Sequence, residues 1–309
     1  MSSSLETYIY ETAPARVHER YAGLADYAAQ ADFGELDADV VVIDTETTGV
    51  SFSNDELTQI AAARMVHGEI KEWFVTFVNP GKPIPEEIAH LTHISDEDVA
   101  DAPSPQEALT QLASFVGASD LVAHNAAFDK AFCTKHEEGA SLAHNVWIDS
   151  LDLGRIGLPR LRSHRLIDIV RAFDAPLSTH RADADVEALC AVYRILLAAV
   201  ANLPQDLVAT IAQLAPVEEW PTGRVFKYFA DELNSKEVPS FSLRNLRQNY
   251  VSQIEGELRK DAADLAVQGP LSFPSEDEIE AAFAPGGLAN AMYDNFEARG
   301  EQIDRKSVV

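Results

Sequence analysis

Val40-Val41-Val42-Ile43 is an unbroken run of four β-branched residues. Such residues fit a pleat and leave no polar face, which predicts a buried strand. The run leads directly into Asp44-Thr45-Glu46-Thr47-Thr48-Gly49. Leu57 to Val66 predicts a second strand and His67-Gly68-Glu69 a turn. The alternation of Trp73, Val75 and Phe77 predicts a third strand, giving an antiparallel meander closed by Asn79-Pro80-Gly81. Helix starts are expected at Pro85-Glu86-Glu87 and at Ser104-Pro105-Gln106-Glu107. In the second, Pro105 takes the first helical position and Glu107 completes a capping box with Ser104. Leu121-Val122-Ala123 predicts a short strand that runs into His124-Asn125-Ala126-Ala127-Phe128-Asp129, which opens a helix expected to reach Glu138. Asn145 to Ile148 predicts a further strand ending at Asp149. A long helix follows Asp185 to Val200, its apolar stripe of Val186, Leu189, Cys190, Tyr193 and Leu197 turned to the sheet. Pro204 breaks it.

This order predicts an α/β fold with a mixed five-stranded sheet flanked by helices. Residues 5–36 carry apolar positions at helical spacing, predicting one or two helices broken near Pro14. Residues 205–309 read as mainly helical, with an amphipathic helix expected over most of Phe241 to Val267. The organisation expected is an N-terminal helical extension at 1–37, a sheet-bearing domain at 38–203 and a helical C-terminal region at 204–309.

The 309 residues are 46% hydrophobic and 24% charged, values of a globular chain. The formal net charge of -26 changes the picture more. Proteins that coat nucleic acid gain affinity by neutralising phosphates, so this charge argues against a general coat and against anionic membranes. It leaves room for an enzyme that engages a few terminal nucleotides through cations. Against this background Arg155, Arg160, Arg162, His164, Arg165 and Arg171 stand out. They could meet phosphates or pair with nearby acids, and the sequence leaves both open. Cys133 and Cys190 lack zinc spacing and read as reduced core residues. With no secretory start and no apolar stretch of membrane length, the expected location is the cytoplasm, with no membrane partner.

Strand alternation puts Asp44 and Glu46 on one face, one pleat repeat apart. Like charges that close repel unless a cation holds both, and hard divalent cations take such oxygen ligands. The plain alternative is a strand end and acidic turn in which Gly49 supplies a positive φ. Two further segments offer acids at element termini, Asp129 and Asp185, and His180 lies five residues before Asp185. Four converging carboxylates suit two divalent cations, which together clamp an in-line phosphoryl displacement. A neutral His beside them can take a proton from water.

These segments resemble the motifs of the DnaQ-like, DEDDh family of 3′→5′ exonucleases. Asp44 to Gly49 matches the first motif, His124 to Asp129 the second, and His180 with Asp185 the third, over about residues 38–200. Leu91-Thr92-His93-Ile94 resembles the family's Leu-Thr-Gly-Ile segment, with His93 in place of Gly. The resemblance implies a ribonuclease-H-like fold, two Mg²⁺ or Mn²⁺ ions, and release of nucleoside 5′-monophosphates from a 3′ end. It implies Asp44, Glu46, Asp129 and Asp185 as metal-holding acids and His180 as general base. Asp183 is the rival for the last acid, and the family spacing favours Asp185. Thr47, Thr48 and Gly49 would lie against the terminal nucleotide, with Asn125 and Phe128 shaping the site. The plain readings are that His124 caps a strand and Phe128 is core. The motif wording is closer to polymerase III proofreading (epsilon) subunits than to oligoribonuclease or ribonuclease T. This implies DNA 3′ ends as substrate in proofreading or repair; RNA trimming and a non-catalytic interaction module are the alternatives. Gln268-Gly269-Pro270-Leu271-Ser272-Phe273 resembles a sliding-clamp peptide, and a polymerase subunit is the other expected partner.

Overall fold

The computed structural model describes residues 4–176 and 182–235. All of these fall in the first of two units, 1–243, and the second unit, 244–309, lies outside them. His180, the helix expected over 241–267 and the clamp-like segment 268–273 therefore lie outside the described residues.

The element order is α1 (Ser4–Tyr8), α2 (Ala15–Ala22), α3 (Leu24–Gln30), β1 (Val40–Thr47), β2 (Leu57–Val66) and β3 (Glu69–Phe77). Next come α4 (Glu86–Thr92), α5 (Asp96–Val99), α6 (Pro105–Val116), β4 (Asp120–Ala123), α7 (Ala126–Cys133) and β5 (Trp147–Asp149). The last are α8 (Ser150–Gly157), α9 (Leu166–Ala172), α10 (Ala182–Ala201), α11 (Gln205–Ile211) and α12 (Gly223–Ser235). The five strands lie in the order β3-β2-β1-β4-β5. β1, β2 and β3 form the antiparallel meander, while β4 runs parallel to β1 and β5 parallel to β4. This is the expected mixed five-stranded sheet, with helices on both faces.

Pleat alternation divides β1 between two cores. Val40 and Val42 pack with α10 residues such as Val186, Leu189 and Tyr193. Val41 and Ile43 pack on the other face with Leu109 and Leu112 of α6 and Phe132 of α7. With both faces covered, the all-apolar run is what the environment demands. The N-terminal helices join the α10 core through Tyr21, Leu24 and Ala28.

Three local expectations change. β1 continues to Thr47, so Asp44 to Thr47 are strand, with a bulge after Glu46. Helix α7 stops at Cys133 instead of reaching Glu138. A 3₁₀ stretch, Glu137–His144, folds back on it, and a Cβ on Gly139 would stand 1.9 Å from the Cys133 carbonyl oxygen. The N-terminal segment forms three short helices, interrupted at Pro14 and again at Gly23.

Among the described residues, no single helix is long and apolar enough to cross a membrane. The longest of them, α10, is buried against the sheet.

Candidate active site

Asp44 and Glu46 extend the Val40–Val42 face of β1, the side covered by α10, so strand register alone points them at that helix. Asp185 sits one turn into α10. One carboxylate oxygen from each of Asp44, Glu46 and Asp185 lies within 4.8 Å of the other two. Asp183, two residues earlier, is not in this cluster. The start of α10 is fixed from the sheet: the Ala182 N–H donates to Gln59 Oε1 at 3.4 Å. Gln59 is buried and is the cross-strand partner of Glu46. Its amide thus satisfies one of the N–H groups a helix start leaves unpaired, and sets the height of Asp185 over β1.

Asp129 arrives from the opposite layer. Thr45 points to the α7 face, and its hydroxyl donates to Asp129 Oδ1 at 2.8 Å, both residues being buried. Helix α7 can start this close to the β4 terminus because Asn125 takes a left-handed conformation, φ 71° and ψ 53°. Asn tolerates that region better than most residues. The Asn125 N–H donates to Asp149 Oδ1 at 3.0 Å, and the same carboxylate caps α8 through the Leu151 N–H at 2.9 Å. Asp149 therefore ties the starts of α7 and α8 together. Its signature in the sequence was an acid at a strand–helix border.

The electrostatics of the cleft are those of a site short of positive charge. Burial, then repulsion from Asp129, Glu46 and Asp185, holds the Asp44 carboxyl well above the usual range. Burial, then Asp185 and Asp129, pushes Glu46 up to about 8. Asp129 rises to about 7, mainly through burial, although the Thr45 hydrogen bond works the other way. Such a group either keeps protons at neutral pH or takes up cations. Its donors are all oxygens, which fits hard divalent ions such as Mg²⁺ or Mn²⁺.

The segment after β1 is braced internally. Thr47 Oγ1 donates to the Gly49 carbonyl at 2.6 Å, and Thr48 Oγ1 to Asp55 Oδ1 at 3.0 Å. Asp55 also accepts from the Ser51 N–H at 2.9 Å and from Lys82 Nζ at 3.0 Å. Gly49 is not among the positive-φ residues, contrary to the turn reading. A Cβ there would stand 2.5 Å from Asp55 Oδ2, so close approach is what calls for glycine. The sequence reading missed Asp55.

Phe128 is half-buried and stacks at an angle on Phe132, with ring centroids 4.9 Å apart, at the edge of the α6–α7 core. His124 Nδ1 lies 2.8 Å from Ser150 Oγ, and burial pushes its pKa down to about 4, so it is neutral and bridges the ends of β4 and β5. In the basic segment, Arg162 donates to the Ile9 carbonyl and to Glu11, and Arg165 pairs with Asp168. For these two, pairing within the chain is what the structure contains. His93 caps α4 in a left-handed conformation, φ 59° and ψ 28°. That is the backbone geometry glycine adopts without strain.

Residues 41–193 match the RNase T exonuclease family. The DNA polymerase III PolC-type protein of Halalkalibacterium halodurans is 39% identical over 156 residues, 50% of this chain and 11% of that protein. Its counterpart in Bacillus subtilis is 39% identical over 152 residues, 48% of this chain and 11% of that protein. The chain thus spans about a tenth of the length of these relatives. Among solved structures, Exonuclease X in complex with 5′ overhanging duplex DNA is 24% identical, with a TM-score of 0.43 over 51% of this chain and 90% of that one. The sheet-bearing segment that holds these acids is thus a DnaQ-like exonuclease domain.

Proposed function

We propose that this protein is a metal-dependent 3′→5′ exonuclease that removes nucleoside 5′-monophosphates from DNA 3′ ends, in the cytoplasm, in proofreading or repair. The observation that carries the reading is the convergence of Asp44, Glu46 and Asp185 within 4.8 Å, with Asp129 raising the charge cost of the same cleft. Three distant motifs meet where their acids are costly without cations. The relatives' description as DNA polymerases supports DNA over RNA.

In this reading Asp44, Glu46, Asp129 and Asp185 hold two Mg²⁺ or Mn²⁺ ions. When bound, these would polarise the scissile phosphate and lower the pKa of the attacking water. Thr45 favours the ionised form of Asp129 by donating to it, and Gln59 holds Asp185 at its level. His180 takes the proton from water, a role suited to an imidazole near neutral pH. Thr47, Thr48 and Gly49 lie against the terminal nucleotide, with the two hydroxyls engaged in bracing the loop. Asn125 and Phe128 border it. Residues 204–309 dock a polymerase subunit or, through 268–273, a sliding clamp. A tether of this kind offsets the weak capture expected of a chain with net charge -26.

The test is digestion of matched 5′-labelled DNA and RNA strands with Mn²⁺ or Mg²⁺ and with chelator, wild type beside His180→Ala. A metal-dependent ladder shrinking from the 3′ end, faster on DNA and lost in the variant, is expected. Preference for RNA would overturn the substrate, and absence of a ladder under any metal would overturn the activity.

A further inference from the structure

The junction between the N-terminal helices and the sheet holds a buried carboxylate with an incomplete set of partners. Asp37, three residues before β1, is 1% exposed. Its Oδ2 accepts from the Arg194 guanidinium, which also donates to the carbonyls of Ala28 and Ala31 at 2.7 Å each. Its Oδ1 is buried and has no hydrogen-bond partner. Buried acceptors are nearly always satisfied, so an orphan oxygen calls for an explanation.

Around that carboxylate lies a pair of potential metal ligands. His67 Nδ1 is 3.9 Å from Asp37 Oδ1, beyond hydrogen-bond range. Asp32 completes a set in which one ligand atom from each of Asp32, Asp37 and His67 lies within 4.8 Å of the others. Local structure holds the three in place. The His67 N–H donates to the Asp37 carbonyl at 2.6 Å, and Asp32 Oδ1 accepts from the Gly34 N–H at 2.9 Å. His67 and Gly68, with φ 49° and 80°, form the tip of the β2–β3 hairpin. A Cβ on Gly68 would stand 2.7 Å from the Arg194 guanidinium, so glycine lets the hairpin close over the ion pair.

We propose that Asp32, Asp37 and His67 bind a divalent transition-metal ion, Zn²⁺ being the best fit, at a site separate from the active-site acids and independent of the proposed activity. Two carboxylates against one guanidinium leave a net negative charge that a dication balances. An imidazole nitrogen beside carboxylate oxygens suits Zn²⁺, Co²⁺ or Ni²⁺ over Mg²⁺. Asp32 and His67 are exposed, so small side-chain rotations bring their ligand atoms to the roughly 2.0–2.2 Å that Zn²⁺ requires. Asp37 supplies the fixed, buried ligand. The ion would fasten the segment after α3 to the hairpin tip, acting as a clasp between the N-terminal helices and the sheet.

The experiment is a Zn²⁺ titration of the full chain in millimolar Mg²⁺, by calorimetry and by NMR of the histidine imidazoles. Wild type is compared with Asp32→Asn, His67→Gln and Asp44→Asn. Wild type and Asp44→Asn are expected to bind one more Zn²⁺ than either Asp32→Asn or His67→Gln. The His67 resonances should shift on saturation. Zn²⁺ at a hundredfold excess over Kd should raise Tm by about 5–10 °C in wild type, a gain absent from His67→Gln. Both variants alter exposed side chains and are expected to fold, which circular dichroism checks. Equal Zn²⁺ stoichiometry in all four proteins, or loss of the extra ion in Asp44→Asn alone, would overturn the proposal. So would His67 imidazole resonances that ignore Zn²⁺ at saturation.

Discussion

Replacing Glu46 with Gln removes a negative charge from the acidic cleft while keeping its shape, and should stabilise the metal-free protein in alkaline solution. The carboxyl rises from an ordinary 4.5 to about 8 in the folded state, through burial first and then Asp185 and Asp129. At about 1.36 kcal/mol per pH unit this corresponds to about 5 kcal/mol between the two protonation states. That is an upper bound, because Asp44 and Asp129 compete for the same protons and a partly exposed cleft admits water. We expect roughly half, about 2–3 kcal/mol. Because the folded value lies above the unfolded one, the protonated carboxyl's stabilisation is complete below pH 4.5 and disappears as pH rises through about 8. In chelator, thermal melts of wild type and Glu46→Gln should therefore coincide near pH 4. They should separate by roughly 5–10 °C at pH 9, with the variant the more stable. Adding Mn²⁺ should reverse the order, since the wild type recovers a ligand that the variant lacks. A difference independent of pH, or a variant less stable than wild type at pH 9 in chelator, would refute the electrostatic account of the cleft.

Thr45→Val removes the hydroxyl donor to Asp129 while keeping β-branching, so the strand should persist. With that donor lost, the Asp129 carboxyl moves further up from about 7. The acid limb of the nuclease pH profile should shift alkaline, with activity near pH 7 reduced about tenfold. Thr45→Ser should restore the limb; a profile that only scales down would mean Thr45 serves packing alone. His93→Gly should stabilise the protein by about 0.5–1 kcal/mol, since a left-handed non-glycine costs about 1–2 kcal/mol and glycine gives back part of it as entropy. A lower Tm in that variant would show that the His93 side chain contributes more than its backbone conformation costs.

The elements legible in the sequence are those whose signal is local. The capping box at Ser104 and Glu107 is present, with Ser104 N–H donating to Glu107 Oε2 at 2.9 Å. The meander is present as expected, although Trp73 and Val75, whose alternation marked β3, are exposed and Phe74 between them is what packs against the core. The end of α7 was not legible, because it depends on Gly139 meeting the Cys133 carbonyl. Nor was the fate of Arg162, whose partners Ile9 and Glu11 lie about 150 positions earlier. The positive φ that the acidic-turn alternative gave Gly49 is absent, and crowding by Asp55 is what calls for glycine there.

By itself the sequence determined that β1 is buried on both faces and that Asp44 and Glu46 share one of them. It also set the motif order and spacing on which the family resemblance rests. All of these follow from backbone periodicity, which acts over a few residues. Only the tertiary structure decided that Thr45, on the opposite face, would orient a carboxylate 84 residues away, and that Gln59 would hold the start of α10. The same is true of the raised pKa values and of the buried Asp37 oxygen facing His67. A side chain's charge state and hydrogen bonds are set by whatever packs against it, and those neighbours come from distant parts of the chain.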